Sequence, residues 1–396
     1  MYGTARRREL AFCTSSSRRP SRVSTLPLFS ADVAASAYGE EVAPVPYRLV
    51  PAPPSRRLSE RFFGRFRRVG LRGVLADLDR RGSRAEVPGE AAVGGMQWEE
   101  RDATSQRWWP QGITTSADAY GPDPQSGTFE GRPVVVVSWY AHGVLGWLTL
   151  GSRISVIDHA DDAAPRYRHV LLVAPRRVLG LHLLRPVRVH AGGIVWYGDH
   201  LFVAGSSGGV RVFALDDVIR VRNRWRTRGY RYVLPQRTHY AADTDAGVRP
   251  MTYSFMSLDR RGDVDHLVAG EYGRKGGSHR MVRYELDRDT HLLRSGETEP
   301  AVPIEVHDAV APRMQGAVLV DGTWVITASA GEDNPGDLWI GRPGALTRRR
   351  GVLPTGPEDI TWWPQRGQLW SLTEWPGRRW VYGIDADTWV RPTSQE

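Results

Sequence analysis

The sequence predicts an all-β protein: a single β-propeller of five or six four-stranded blades, preceded by a disordered N-terminal arm. Two observations carry this. From about residue 94, short β-branched and aromatic runs alternate with Gly, Asp, Asn and Pro turns, and no amphipathic helix of useful length follows. Along the same stretch a two-strand phrase recurs, and regular recurrence is the mark of a repeat architecture.

The first half of the phrase is an apolar strand entered through a small or polar pair. It reads QGITT at 111–115, GGIVW at 192–196, QGAVL at 315–319 and EDITW at 358–362, with TYSFMSL at 252–258 as a looser copy. The second half is another apolar strand, a glycine turn and a third strand, as in LFVAGSSGGVRVFALDD and LWSLTEWPGRRWVYGID. The turns YGD, DRRGD, VDG and PQRG join the halves and supply Gly or Asp where a hairpin needs positive φ. A more variable fourth strand is expected to close each copy. The copies are unevenly spaced: 81 residues separate Gly112 from Gly193, but 43 separate Gly316 from Asp359. A blade takes ~40–45 residues, so the long step holds inserted loops or an unrecognised blade. A β-sandwich is the alternative that uses the same short strands. The tetrapeptide WWPQ, at 108–111 and 362–365, is not part of the repeat. Its first copy runs into a strand and its second leaves one.

Ahead of the repeats, residues 1–60 are rich in Ser, Pro, Arg and Ala without periodicity and read as a disordered basic arm or targeting region. Residues 61–93 read as a segment packing on the main domain, with a short helix and then a strand within 58–82. The propeller is assigned to 94–396. The formal charge of +9 sits mostly at the front, because residues 1–93 hold 17 Arg against 9 Asp and Glu. The remainder is nearly neutral and shows no basic stripe interleaved with aromatics, which argues against nucleic acid as a partner. Nearly all the basic residues are arginine, the one lysine being Lys275. The sole cysteine, Cys13, excludes a disulfide framework or a cysteine-based zinc site. No run approaches the ~20 apolar residues of a transmembrane helix. The N-terminal text resembles an export signal but breaks its apolar run at Pro27, Ser30 and Asp32, so the chain is secreted if its true start carries a signal and cytoplasmic otherwise.

PEDITWWPQRGQLWSLTEWPGRRWVYGID and HAGGIVWYGDHLFVAGSSGGVRVFAL resemble blades of the NHL/gluconolactonase-like propeller superfamily, over about residues 105–390. Its lactone-hydrolysing members hold a divalent metal on the axis through Glu, Asn and Asp. The resemblance places Glu358 at their first-strand glutamate. The Asn-Asp pair of a middle blade is matched only by LDRRGDVDH, which lacks the asparagine.

Residues entering the innermost strands converge on one face of a propeller. Those positions hold Gln111, His190, Thr252, Gln315 and Glu358, with Asp359 beside the last. Such a ring suits a polyol or an oxygen-seeking cation such as Ca²⁺, with Glu358 as its ligand, or else simply binds backbone and channel water. Glu332, Asp333, Asn334 and Asp337 in GEDNPGD read as an Asx-rich turn. Glu271 and Glu374 end equivalent second strands. Trp362, Trp370 and Trp380 are expected between blades, while Trp109, Trp139 and Trp375 at strand edges are candidates to stack on a sugar or a partner. No nucleophile elbow, P-loop or dinucleotide fingerprint is present. The expectation is a monomeric, non-catalytic binding module for a small molecule, glycan or protein, without a cofactor. The alternative is a metal-dependent lactonase or esterase using Glu358 as ligand and His190 as base.

Overall fold

The computed structural model describes residues 45–391, apart from 54–63, 65, 120–125, 144–149, 179–180, 223–226, 274–278 and 309. Most of the expected N-terminal arm, with Cys13, therefore lies outside the described residues, as does Lys275.

Five blades with four antiparallel strands each are present among the described residues, the outer strands of the first two being joined by a short parallel pairing of Val233 with Leu171 and its neighbours. Blade 1 runs outward from the axis through Trp108–Thr115, Val134–Ala141, Ser152–Asp158 and Arg166–Val178. Blade 2 is Ile194–Tyr197, His200–Ala204, Val210–Ala214 and Tyr232–Thr244. Blade 3 comprises Phe255–Asp259, His266–Gly270, Met281–Asp287 and Glu305–His307. Blade 4 comprises Met314–Val320, Thr323–Ala328, Pro335–Arg342 and Ala345–Thr355. Blade 5 takes Pro357–Trp363, Gln368–Thr373 and Trp380–Asp385 from the C-terminal end, and its outer strand, Ala92–Gln97, from the front of the domain. All five copies of the phrase are thus innermost and second strands, and the protein is a five-bladed propeller over its described residues. The long step between Gly112 and Gly193 is taken up by the connections of blade 1 and its 13-residue outer strand, not by a sixth blade.

Packing between blades explains why the strands read as continuous apolar runs. Side chains of a strand point alternately to its two faces, and each blade is covered on both. In Val134–Val137 the even residues join a cluster with Ile194, Trp196 and Phe213 of blade 2. The odd residues join one with Trp363, Trp370 and Val381 of blade 5. Three more clusters fill the junctions of blades 2 with 3, 3 with 4 and 4 with 5, so the ring closes.

Two boundaries move. The expected start at residue 94 falls inside Ala92–Gln97, whose Met96 pairs with Val381, because the ring needs a strand from the other end of the domain to close it. Ser83–Ala85 extends the same sheet. The helix Gly70–Leu75 buries Leu71, Val74 and Leu75 against the junction of blades 1 and 2, in the segment expected to pack there. Tyr47–Pro51, expected within the disordered arm, instead pairs with Ala241 and its neighbours on the rim of blade 2. Its alternating Tyr47, Leu49 and Pro51 are buried. Among the described residues no helix is long and apolar enough to cross a membrane.

Candidate functional site at the channel mouth

The axis is closed just inside its mouth. A Cβ on Gly193 would lie 2.0 Å from the backbone nitrogen of Met256, and one on Gly316 would lie 2.6 Å from that of Ile360. The inner strands therefore touch, and only a hydrogen side chain fits between them. Where three of the aligned copies have glycine, blade 5 has Asp359. Its fully buried carboxyl crosses the axis to accept from the backbone N–H groups of Ile113 (3.2 Å) and Ile194 (3.4 Å). Burial raises its pKa well above the carboxylate range, and the backbone donors oppose that shift. Deeper still, Asp118 accepts from the hydroxyls of Thr114 (2.6 Å) and Thr361 (2.7 Å), and burial raises its pKa too.

Above this plug four side chains form one chain of hydrogen bonds. Gln111 donates to Glu374 (3.0 Å), Glu374 is bonded to Glu358, and Gln315 donates to Glu358 (2.9 Å). Glu358 is 3 % exposed, and burial together with the neighbouring Glu374 charge pushes its pKa well above the usual range. Glu374, less deeply covered, is pushed up to about 7, chiefly by burial. A hydrogen bond between two carboxyls needs one proton between them, which the raised pair holds together. The pair carries at most one negative charge at neutral pH.

The wall around the quartet is aromatic and imidazole. The rings of Tyr140 and His190 lie 4.3 Å apart, His142 stacks on Trp109 at 4.4 Å, and Trp375 meets Trp109 edge-on at 5.1 Å. Crowding by protein atoms, with His142 nearby, lowers the pKa of the solvent-reachable His190 ring, while burial and the two glutamates raise that of Tyr140. Arg379 is fully buried beneath, bonded to the carbonyls of Glu374, Asp102 and Ser105.

Of the six positions expected to ring the axis, the structure joins Gln111, Gln315 and Glu358 and sets His190 against the Tyr140 wall. It does not bring in Thr252, whose side chain is exposed and whose N–H is held by Glu271 (2.8 Å), or Asp359, which turns into the plug. Glu271 forms its own ion pair with Arg280 (2.7 Å), so Glu374 finds its carboxyl partner within its own blade. Sequence reasoning noticed Glu374 but not its pairing with Glu358, because the two approach only once adjacent strands of blade 5 pair. Trp139 is corrected from a candidate stacking surface to core. It is fully buried and donates to Ser155 (2.7 Å). In the GEDNPGD turn, Asp337 pairs with Arg348 while Glu332, Asp333 and Asn334 are exposed.

Glu358, the position the resemblance gives to a metal ligand, is accompanied by Glu374 and two glutamines. The acids of LDRRGDVDH lie at the far end of the blade 3 hairpin, where Asp259 binds Arg261 and Arg283. Elsewhere, Ser155, His169 and Asp102 are linked at 2.8 and 3.0 Å, the order of a hydrolase triad. Ser155 is fully buried and already bonded to Trp139, so it offers no face to a substrate.

No protein-family model matches the sequence, and no curated protein matches it. Among solved structures, the chain is similar to a gluconolactonase from Xanthomonas campestris, with 14% identity over 78% of this chain and 86% of that one, at a TM-score of 0.35. A GH43_1 enzyme from Xanthomonas citri shows 11% identity over 72% and 90%, at 0.34. The Swd1 β-propeller domain of Myceliophteria thermophila shows 13% over 63% and 67%, at 0.30. The propeller assignment rests on the five blades and five junctions of this chain itself.

Proposed function

We propose that the protein is a binding module that takes a neutral, hydroxyl-rich ligand, such as a saccharide, at the channel mouth. The observation behind this reading is the chain Gln111–Glu374–Glu358–Gln315 seated on a closed axis. Gln111 gives its amide hydrogens to Pro110 and Glu374, and Gln315 gives one to Glu358, so the quartet offers a ligand mainly carboxyl and amide oxygens, which suit the donors of a hydroxyl-rich molecule. Half-buried Trp375 beside them, braced on the buried Trp109, supplies an apolar edge of the kind that sugar rings pack on. Hydrolysis fits less well. Glycosidases hold their two carboxyls about 5 Å or more apart around the scissile bond, whereas Glu358 and Glu374 are in direct hydrogen bond.

A second reading has Ca²⁺ at the same place. It is favoured by the convergence of two carboxyls and two amides on one point, with a proton where a cation would sit. These four residues supply part of the 6–8 oxygens Ca²⁺ takes. Titration calorimetry on the full chain, with a monosaccharide panel and with Ca²⁺, separates the two. Sugar binding lost in Gln111→Ala and unaffected by chelator supports the first reading. Saturable Ca²⁺ binding that strengthens as pH rises and disappears in Glu358→Gln replaces it with the second. Heat from neither probe refutes both.

A further inference from the structure

We propose that a cavity on the flank of blade 1 is a second binding site, for a small phosphorylated ligand carrying several negative charges. The cavity is about 1120 Å³ and is lined by seven arginines against two aspartates. It shares only His142 with the wall of the channel mouth, so it does not depend on the reading given for that site.

Its arginines fall into two layers. The inner layer is fixed. Asp102, 3 % exposed, accepts from Arg80 (2.8 Å), Arg153 (3.1 Å), His169 (3.0 Å) and Tyr167 (2.7 Å), and Arg168 is held by Asp77 and Asp79. Asp102 thus answers two guanidinium groups, with Glu99 3.8 Å from Arg80 at the edge, and Arg231, the seventh arginine, pairs with Asp77 (3.1 Å). Arg153 also lies over the faces of Trp108 (4.4 Å) and Trp139 (4.8 Å), and its buried Nε has no acceptor among the described residues. That is a rigid, partly unsatisfied donor in a desolvated wall. The outer layer, Arg101, Arg107 and Arg228, is exposed and has no carboxylate partner among the described residues.

Positive charge in this surplus, on a concave surface, is held apart by the fold at an electrostatic cost that an anion would relieve. The planar guanidinium fork matches a phosphate in two-point contact. The arginines cluster around one open concavity and not along a stripe, which suits a compact anion better than a long polyanion.

The test is calorimetry of the full chain with inorganic tripolyphosphate, citrate and a single-stranded oligonucleotide, at low and physiological salt. The expected result is saturable binding of one tripolyphosphate, weakened at least about tenfold in Arg107→Ala/Arg228→Ala. Arg349→Ala, on the exposed outer strand of blade 4, leaves it unchanged. Matching thermal melts show that the rim variants still fold. The proposal is overturned by absence of saturable tripolyphosphate binding, by equal weakening in the blade 4 control, by a preference for citrate, or by tighter binding of the oligonucleotide.

Discussion

The shared proton at the channel mouth makes a quantitative prediction about stability. Folding raises the Glu374 carboxyl from an ordinary value of 4.5 to about 7. A raised acid binds its proton more tightly folded than unfolded, so its stabilising effect is present below pH 4.5 and is lost as pH climbs through 7. The difference corresponds to on the order of 3 kcal/mol. The buried histidines act in the other direction. His169, lowered to about 3 chiefly by burial, adds stability as pH rises from about 3 to 6.5, with no further gain above that, and His159 is lowered likewise. Wild-type stability alone therefore mixes opposing slopes, and the informative quantity is its difference from Glu374→Gln, in which the histidine contributions cancel. Urea unfolding at constant ionic strength, from pH 4.5 to pH 8, measures it. Wild type is expected to lose about 3 kcal/mol relative to the variant across that window, at no more than about 1.4 kcal/mol per pH unit for one proton. A difference that stays flat, or that grows in favour of wild type with rising pH, refutes the shared-proton assignment.

Two further outcomes follow from other parts of the ring. Gly193→Ala places a methyl 2.0 Å from the Met256 nitrogen, and overpacking of at least about 3 kcal/mol is expected, read as a lowered urea midpoint. Asp102→Asn removes the charge that answers Arg80 and Arg153, and a loss of about 3–5 kcal/mol is expected by the same assay.

The fold was legible in the sequence because a blade is covered on both faces. The runs VVVV, IVW and QGAVL had to be continuous and apolar to serve two junctions at once, and hairpin glycines marked their ends. Closure was not legible. The strand that seals blade 5 contains Gly94 and Gly95 and carries little apolar signal, since its pairing with Trp380–Asp385 is a contact between the two ends of the domain. The site was half legible. Periodicity located Gln111, Gln315 and Glu358 at equivalent strand entries, but it could not say which way Asp359 turns, because that depends on how closely neighbouring strands approach. The arginine cavity left no trace as a motif. Arg80, Arg107, Arg153 and Arg228 come from four separate segments; the charge of Arg80 was counted with the basic front of the chain, and the near-neutral balance after residue 93 averaged away that of the other three.

The closed axis also constrains what the mouth can do. A wide propeller channel admits water along its length and can hydrate a charged group at any depth. Here Gly193 and Gly316 bring the inner strands into contact, and the Asp359 carboxyl ties three of them together. Glu358 and Glu374 therefore face water from one side only, which is why burial dominates the shift of both and why they share a proton rather than ionise together. A ligand reaching them arrives by the same single opening. It must replace the water it displaces with its own donors and acceptors, because the strands beneath leave it nowhere to extend. Selectivity at such a site is set by hydrogen-bond matching over a shallow area.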